Sequence, residues 1–412
     1  MIRLEAPEEI KDIKRKSIGK LNKKYQSNIK KIYLYQFLMG FYLISGVLIP
    51  FFLTWGQLNI FEFNLLQGYY FIMAFLLEIP CGMIGDHISR KKMLFLAGLI
   101  SSIAALIYGL IPNIFMFYIG ETLFALGDAL FSGTIEGLIY GSLKTQGQEK
   151  KFSKILGKSK SVFLLGVVIS SPLGSIIGYK FSLQFVMILM FIPYIGCTII
   201  SLTFKEPPHV KKKKSSRAFN TIKLSFKLFK ENKTIKILLI DMLVIEILIL
   251  VLSLNYQYYL YTELNIPTIY FGFINAILIL SEFLFTYSIS TQNYRIKNKK
   301  LLLLFITLLP GISYFLIGTI HFVPINLILI LLIIGLGLSR YIIFYDGINK
   351  RIKDGTRTTT YSMINMIRMV PGALILPLLG ILFSYNMNIT FMLIGIFIIV
   401  FTMLSKVKKE HF

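Results

Sequence analysis

Twelve apolar stretches, each about long enough to cross a bilayer, constrain this chain more than any other feature. They run at approximately 32–54, 65–85, 93–111, 114–142, 160–179 and 183–204, then at 235–261, 269–293, 301–320, 325–348, 359–383 and 389–405. A helix needs roughly 20 apolar residues to span the hydrocarbon core, where each backbone N–H and C=O must find its partner within the protein. A polar interval from Lys205 to Lys233 separates six from six. The pattern predicts an all-α membrane protein of twelve transmembrane helices, arranged as two pseudo-symmetric six-helix bundles. The division expected is a tail over 1–31, one bundle over 32–204, a linker over 205–234, a second bundle over 235–405 and a tail over 406–412. With 55% apolar and 16% charged residues, an ordinary soluble domain is excluded.

Net charge is +24, which on a soluble protein would point to nucleic acid. The placement of the cations says otherwise. With the N-terminus inside, 41 of the 44 Lys and Arg fall in the tails and loops of that same side, and only Lys180 falls in an outward loop. This is the positive-inside pattern, so both termini are expected in the cytoplasm and the protein in the cell membrane as a multi-pass monomer. Two short helices are expected to lie flat on anionic lipid at that face. One is in residues 1–31, with Ile10, Ile13, Leu21 and Tyr25 roughly on one side; a solvated tail is the alternative. The other is in the linker, with Phe219, Ile222, Phe226 and Phe229 as its stripe.

The second and third stretches are joined by Leu77 to Lys92. Gly82 and Gly85 would let two helix ends come close, since no Cβ stands between them. Past the end of the second apolar stretch Asp86 is the only acid, and it is expected to accept backbone N–H groups at a nearby helix N-terminus. Arg90, Lys91 and Lys92 follow, facing the membrane surface or a neighbouring acid. Glycine, three residues, aspartate, a short spacer and an arginine-lysine pair resemble the signature loop of the major facilitator superfamily, with His87 and Ser89 as departures. In that family the loop joins the second and third transmembrane helices, as it would here, and the resemblance implies a gating role.

The fourth stretch runs Gly127-Asp128 through Ser132-Gly133 and Glu136 to Tyr140-Gly141-Ser142-Leu143. It resembles the fourth helix of bacterial drug-exporter branches of the same superfamily. Gly157, Gly166, Pro172, Gly174 and Gly178 in the fifth are similar to the glycine-proline pattern of proton-coupled antiporters, with Ser170 and Ser171 where Gly-Pro would stand. Tyr294 to Lys300 repeats the charge of the opening loop without its aspartate. That layout suits the internal repeat of such transporters.

Charges inside a membrane cost roughly 2.5–3.5 kcal/mol each on insertion scales and usually mark function. Glu121, Asp128 and Glu136 are seven and eight residues apart, which on one continuous helix places them within an ~80° arc. Asp128 is the deepest and is the candidate proton or cation site. Glu136 has a second reading, as an ion-pair partner of Arg90 near an inner gate. The second half adds Glu246, Asn275 and Glu282, Arg340, and Asn365 and Arg368 beside Tyr361 and Gly372. Those residues are read either as a substrate or proton-coupling site or as Glu–Arg pairs locking helices together. Asp241 and Asp346 read as interfacial, and Tyr256, Tyr258 and Tyr259 as an aromatic belt.

The chain contains no G-x-x-x-x-G-K-[ST] loop and no H-E-x-x-H, and Cys81 and Cys197 form no metal or disulfide pattern. An enzyme is not expected, nor a cofactor or metal; a proton gradient is the expected energy source. A carboxyl changes its proton affinity when a dry cavity opens to water, which ties protonation to the side that is open. The expectation is proton-coupled export of a small amphipathic compound by alternating access. An uptake permease for a metabolite is the first alternative, and a membrane sensor or assembly partner that no longer transports is the second.

Overall fold

The computed structural model describes residues 25–207, 232–292, 298–352 and 357–412, and every regular element among them is helical. The expected surface helix of the linker, most of the N-terminal tail and the side chains of Asp86 and Tyr361 lie outside the described residues.

The first group of helices opens with α1 (Tyr25–Gly46) and α2 (Leu48–Trp55), bent by 63° where they meet. Next come α3 (Ile60–His87), α4 (Arg90–Leu110), α5 (Ile114–Phe131), α6 (Thr134–Lys144), α7 (Phe152–Lys180), α8 (Leu183–Leu189) and α9 (Phe191–Thr203). The second group holds α10 (Lys233–Thr262), α11 (Phe271–Gln292), α12 (Lys299–Ile317), α13 (Val323–Ser339), α14 (Tyr341–Asn349), α15 (Arg357–Tyr385) and α16 (Met387–Met403). Short polar side chains start many of them. Asn113, Ser182, Asn232, Asn298 and Asn386 each accept an N–H of the first turn. Asn59 and Glu62 satisfy each other's backbone N–H at the start of α3. Such caps matter most at the edge of a membrane, where water is scarce and the first N–H groups of a helix have no internal partner.

Among the described residues ten helices are long and apolar enough to cross a membrane, counting α5–α6, α8–α9 and α13–α14 as one each, or eleven if α1 and α2 form one bent span. The 17-residue α16 is a shorter apolar helix. Length and apolarity alone therefore stop short of the expected twelve.

Within the first group α1 and α7 touch backbone to backbone. A Cβ on Gly40 would lie 2.0 Å from the Phe163 carbonyl oxygen, and one on Gly174 would lie 1.8 Å from that of Leu43. Small residues permit this approach, which in lipid substitutes dispersion for the missing hydrophobic drive. The two groups meet along α3 against α15 and α7 against α11.

Among the described residues, the hydrogen bonds between them gather at one end. Tyr25 and Phe412 mark the other, basic end. The hydrogen bonds that join the groups among the described residues lie away from it. Gln257 accepts from the Ile49 N–H at 3.1 Å and donates to the Ser45 carbonyl at 2.7 Å. Asn64 and Asn255 exchange side-chain bonds at 2.8 and 3.0 Å. Asn275 donates to Ser171 at 2.9 Å, and Ser175 to the Ile269 carbonyl at 2.9 Å. Toward the basic end no hydrogen bond or ion pair joins the groups among the described residues. There a Cβ on Gly82 would meet nothing within 4 Å and one on Gly85 only Met93 at 3.5 Å. The close approach expected of these two glycines is absent from this conformation, which is sealed at one end and parted at the other.

Candidate functional site

Glu121 and Asp128 stand two turns apart on one face of α5, turned toward α3. Four bonds stitch these helices together. Gln67 donates to Glu121 at 3.0 Å, Tyr69 shares a 2.8 Å bond with Thr122, the Tyr70 hydroxyl donates to Asp128 at 2.5 Å, and Ser132 donates to Glu78 at 3.0 Å. Glu121 is buried and Asp128 is exposed. About one turn either side of Asp128, Phe124 packs against Tyr194 of α9 and Phe131 against Tyr35 of α1, with ring centres 6.0 and 6.1 Å apart. An exposed carboxylate between two such interior contacts, bound by the Tyr70 hydroxyl, faces a space inside the protein rather than lipid.

Sequence reasoning passed over Glu78. It sits inside the second apolar stretch, one to two turns before the loop glycines and Asp86, which drew the reading to themselves. The signal was the stripe Gln67, Tyr70 and Glu78, three polar side chains on one face of an apolar helix with the small Ala74 between them.

The expected continuous acidic face does not extend to Glu136. The helix stops at Phe131, turns through Gly133 at φ +68°, and restarts at Thr134. That left-handed conformation suits glycine because an L side chain would clash there. Glu136 falls in the first turn of α6, out of register with Asp128. No ion pair joins it to Arg90 among the described residues. Instead the Arg90 guanidinium lies over Gly137 and Gly141, where added Cβ atoms would come within 2.8 and 3.0 Å of it. Glu206 accepts the first N–H groups of α4, those of Arg90 at 3.2 Å and Lys91 at 3.0 Å; the Asp86 side chain, expected to do the same, lies outside the described residues.

In the second group Arg368 of α15 pairs with Glu246 of α10, and its side chain keeps 39% exposure. The other Glu246 oxygen is buried without a hydrogen-bond partner. Tyr345 of α14 reaches Asn365 at 3.5 Å, a long contact, and feels the Arg368 charge. Glu282 of α11 is half-buried and makes no ion pair among the described residues. Two other candidates face elsewhere. Arg340 is 2% exposed and bonds Asp241 at 2.9 Å, with its guanidinium 5.1 Å from the Phe344 ring centre. Asp241, expected at the interface, is its buried counter-ion. Asn275 belongs to the sealed end, bound by Ser171 and by Tyr256 at 3.0 Å. Tyr256 and Tyr259 are buried and hydrogen-bonded rather than part of a belt. Asp346 pairs with Lys299 and Lys350 at the basic end, as an interfacial acid should.

The first group thus contributes acids and the second an acid and a partly exposed cation, and no group of metal-ligating side chains lies among the described residues. The family profile described as Major Facilitator Superfamily matches residues 35–377. The chain belongs to the Major Facilitator Superfamily. It is a multi-pass membrane transporter of that superfamily, a family of transporters rather than enzymes. Among solved structures, the nucleoside transporter NupG matches with a TM-score of 0.71 at 16% identity, covering 94% of this chain and 100% of that one. A bacterial homolog of the human lysosomal transporter Spinster, inward-facing and occupied, gives 0.73 at 15% identity, with 92% and 97% covered. A POT family transporter in complex with a thioalcohol-conjugated peptide gives 0.73 at 14%, with 92% and 95% covered. At these identities the likeness is one of fold. No curated protein sequence matches the chain.

Proposed function

We propose that this Major Facilitator Superfamily transporter exports a small amphipathic compound, cationic or neutral, in exchange for protons across the cell membrane. The observation that carries the reading is Asp128: exposed, facing the gap between the two groups, and held by the Tyr70 hydroxyl. A carboxylate there either binds a proton or attracts a cation, and the two compete for one charge. Glu78 and Glu121 extend the negative wall toward each end, while Tyr42 and Tyr70 supply aromatic surface for an apolar body. Across the gap the half-exposed Arg368, tied to Glu246, is the element that a bound group could displace.

The basic end is the cytoplasmic end in this reading, by the bias of Lys and Arg. Both termini then lie inside, α16 serves as the twelfth span, and 32–204 and 235–405 are two repeats joined by the 205–234 linker. The conformation is then inward-facing. Rocking about the α3–α15 and α7–α11 contacts would seal the basic end and carry Asp128 to the outside.

Proteoliposomes with an imposed pH gradient and a fluorescent lipophilic cation test this. Gradient-driven cation movement with counter-flow of protons is expected, falling to the leak rate in Asp128→Asn. Accumulation driven in the opposite direction would favour uptake. Unaltered coupling in Asp128→Asn would remove Asp128 from the mechanism.

A further inference from the structure

Toward the basic end, away from the gap between the groups, a crevice of about 320 Å³ opens between α12 and α16. Lys300, Leu304 and Leu308 line one side, Met403 and Val407 the other, and Asp241 lies at its floor. The floor carries no free charge. Asp241 is neutralised by Arg340 at 2.9 Å and accepts from the Ser405 hydroxyl at 2.5 Å. The rim does carry charge: Lys300 lines it and is exposed, Lys406 is exposed and stands in sequence between the lining residues Ser405 and Val407, and neither makes an ion pair among the described residues.

The surroundings of the mouth decide what it would hold. Leu301 is 63% exposed, Phe305 61%, Met403 73% and Leu404 75%. Large apolar side chains so exposed on spanning helices face lipid. A dissolved anion would use the two lysines and gain nothing from these surfaces. A hydrocarbon chain would use the surfaces and ignore the lysines. An anionic phospholipid uses both, since a cationic pocket between transmembrane helices at a membrane interface attracts acidic headgroups. We propose that the crevice between α12 and α16 seats an acyl chain of one anionic phospholipid, whose phosphate rests on Lys300 and Lys406.

The occupant would fill the seam between α12, α16 and α10 and shield the Asp241–Arg340 pair from water. The site does not depend on what the transporter carries, and its test reads lipid retention rather than flux.

The full chain is reconstituted in vesicles of equal phosphatidylglycerol and phosphatidylethanolamine, extracted, and weighed by native mass spectrometry with its retained lipids. The wild type is expected to retain phosphatidylglycerol in preference to phosphatidylethanolamine. Lys300→Glu should reduce phosphatidylglycerol retention by about fivefold or more, the worth of roughly one interfacial cation. Leu304→Trp, which fills the crevice, should reduce retention of both lipids. Lys300 is exposed and makes no ion pair among the described residues, so its variant folds and decides the matter even if Leu304→Trp does not. Equal retention of the two lipids by the wild type, or undiminished phosphatidylglycerol in Lys300→Glu, overturns the proposal.

Discussion

Asp241 and Arg340 form the most deeply buried ion pair among the described residues, with side chains 7% and 2% exposed. Each is an unfavourable guest in a membrane protein interior on its own, and the Arg340 Nε has no acceptor. Such pairs contribute little net stability, yet breaking one strands the other charge at a cost of about 3–5 kcal/mol. Asp241→Leu should therefore lower the apparent melting temperature of the purified protein sharply. The double variant Asp241→Leu with Arg340→Met should recover most of the loss. A double variant as unstable as the single one would show that the pair is needed for more than neutralising its own charges. Glu246 and Arg368 make the contrasting case. They too form an ion pair, but Arg368 stays partly exposed and one Glu246 oxygen has no partner. Two Glu/Asp–Arg pairs of similar composition thus differ in what surrounds them, and only the second is open to a ligand.

At the scale of elements, the seal between the groups rests on close backbone approach. A Cβ on Gly272 would lie 2.0 Å from the Ser171 carbonyl oxygen, and one on Gly46 would lie 2.6 Å from the same atom. Gly272→Ala should wedge α11 away from α7 and shift the population toward opening at that end. A cysteine at Asn64, fully buried here, should then react faster with a water-soluble thiol reagent; an unchanged rate would mean that α7 and α11 yield without parting. Cys81 and Cys197 are buried and contribute little background.

The spans were legible in the sequence because a run of about 20 apolar residues has few solutions in lipid. The breaks near Val47, Gly133, Met190 and Arg340 were not. Around α6, Gly133, Gly137 and Gly141 are equivalent on the page, and only packing of the latter two under Arg90 leaves the turn to Gly133. Asn275 and Arg340 were read as site residues because a polar group within a span signals function. Whether it faces a chamber, the other group or a counter-ion depends on helix rotation against neighbours, which an apolar sequence on all sides does not encode. Asp128 could be placed because it stands one helical face from Glu121, on a helix whose partner offers Tyr70 and Gln67.

For the whole molecule, the account requires that closure at one end and separation at the other be exchangeable. Contacts between the groups run along α3–α15 and α7–α11, two seams about which rigid halves can rock. The opposing glycine at the basic end, Gly82, lies free of neighbours, leaving space for the second group to enter. The most direct measurement is a pair of electron-spin distances in the full chain in lipid. One spin pair replaces Phe181 and Tyr385, exposed at the sealed end, and the other Glu149 and Lys350, exposed at the basic end. The account predicts two populations at each end, with lower pH or added substrate lengthening one distance while shortening the other. Distances that stay fixed at both ends, or that change together in the same direction, would contradict it.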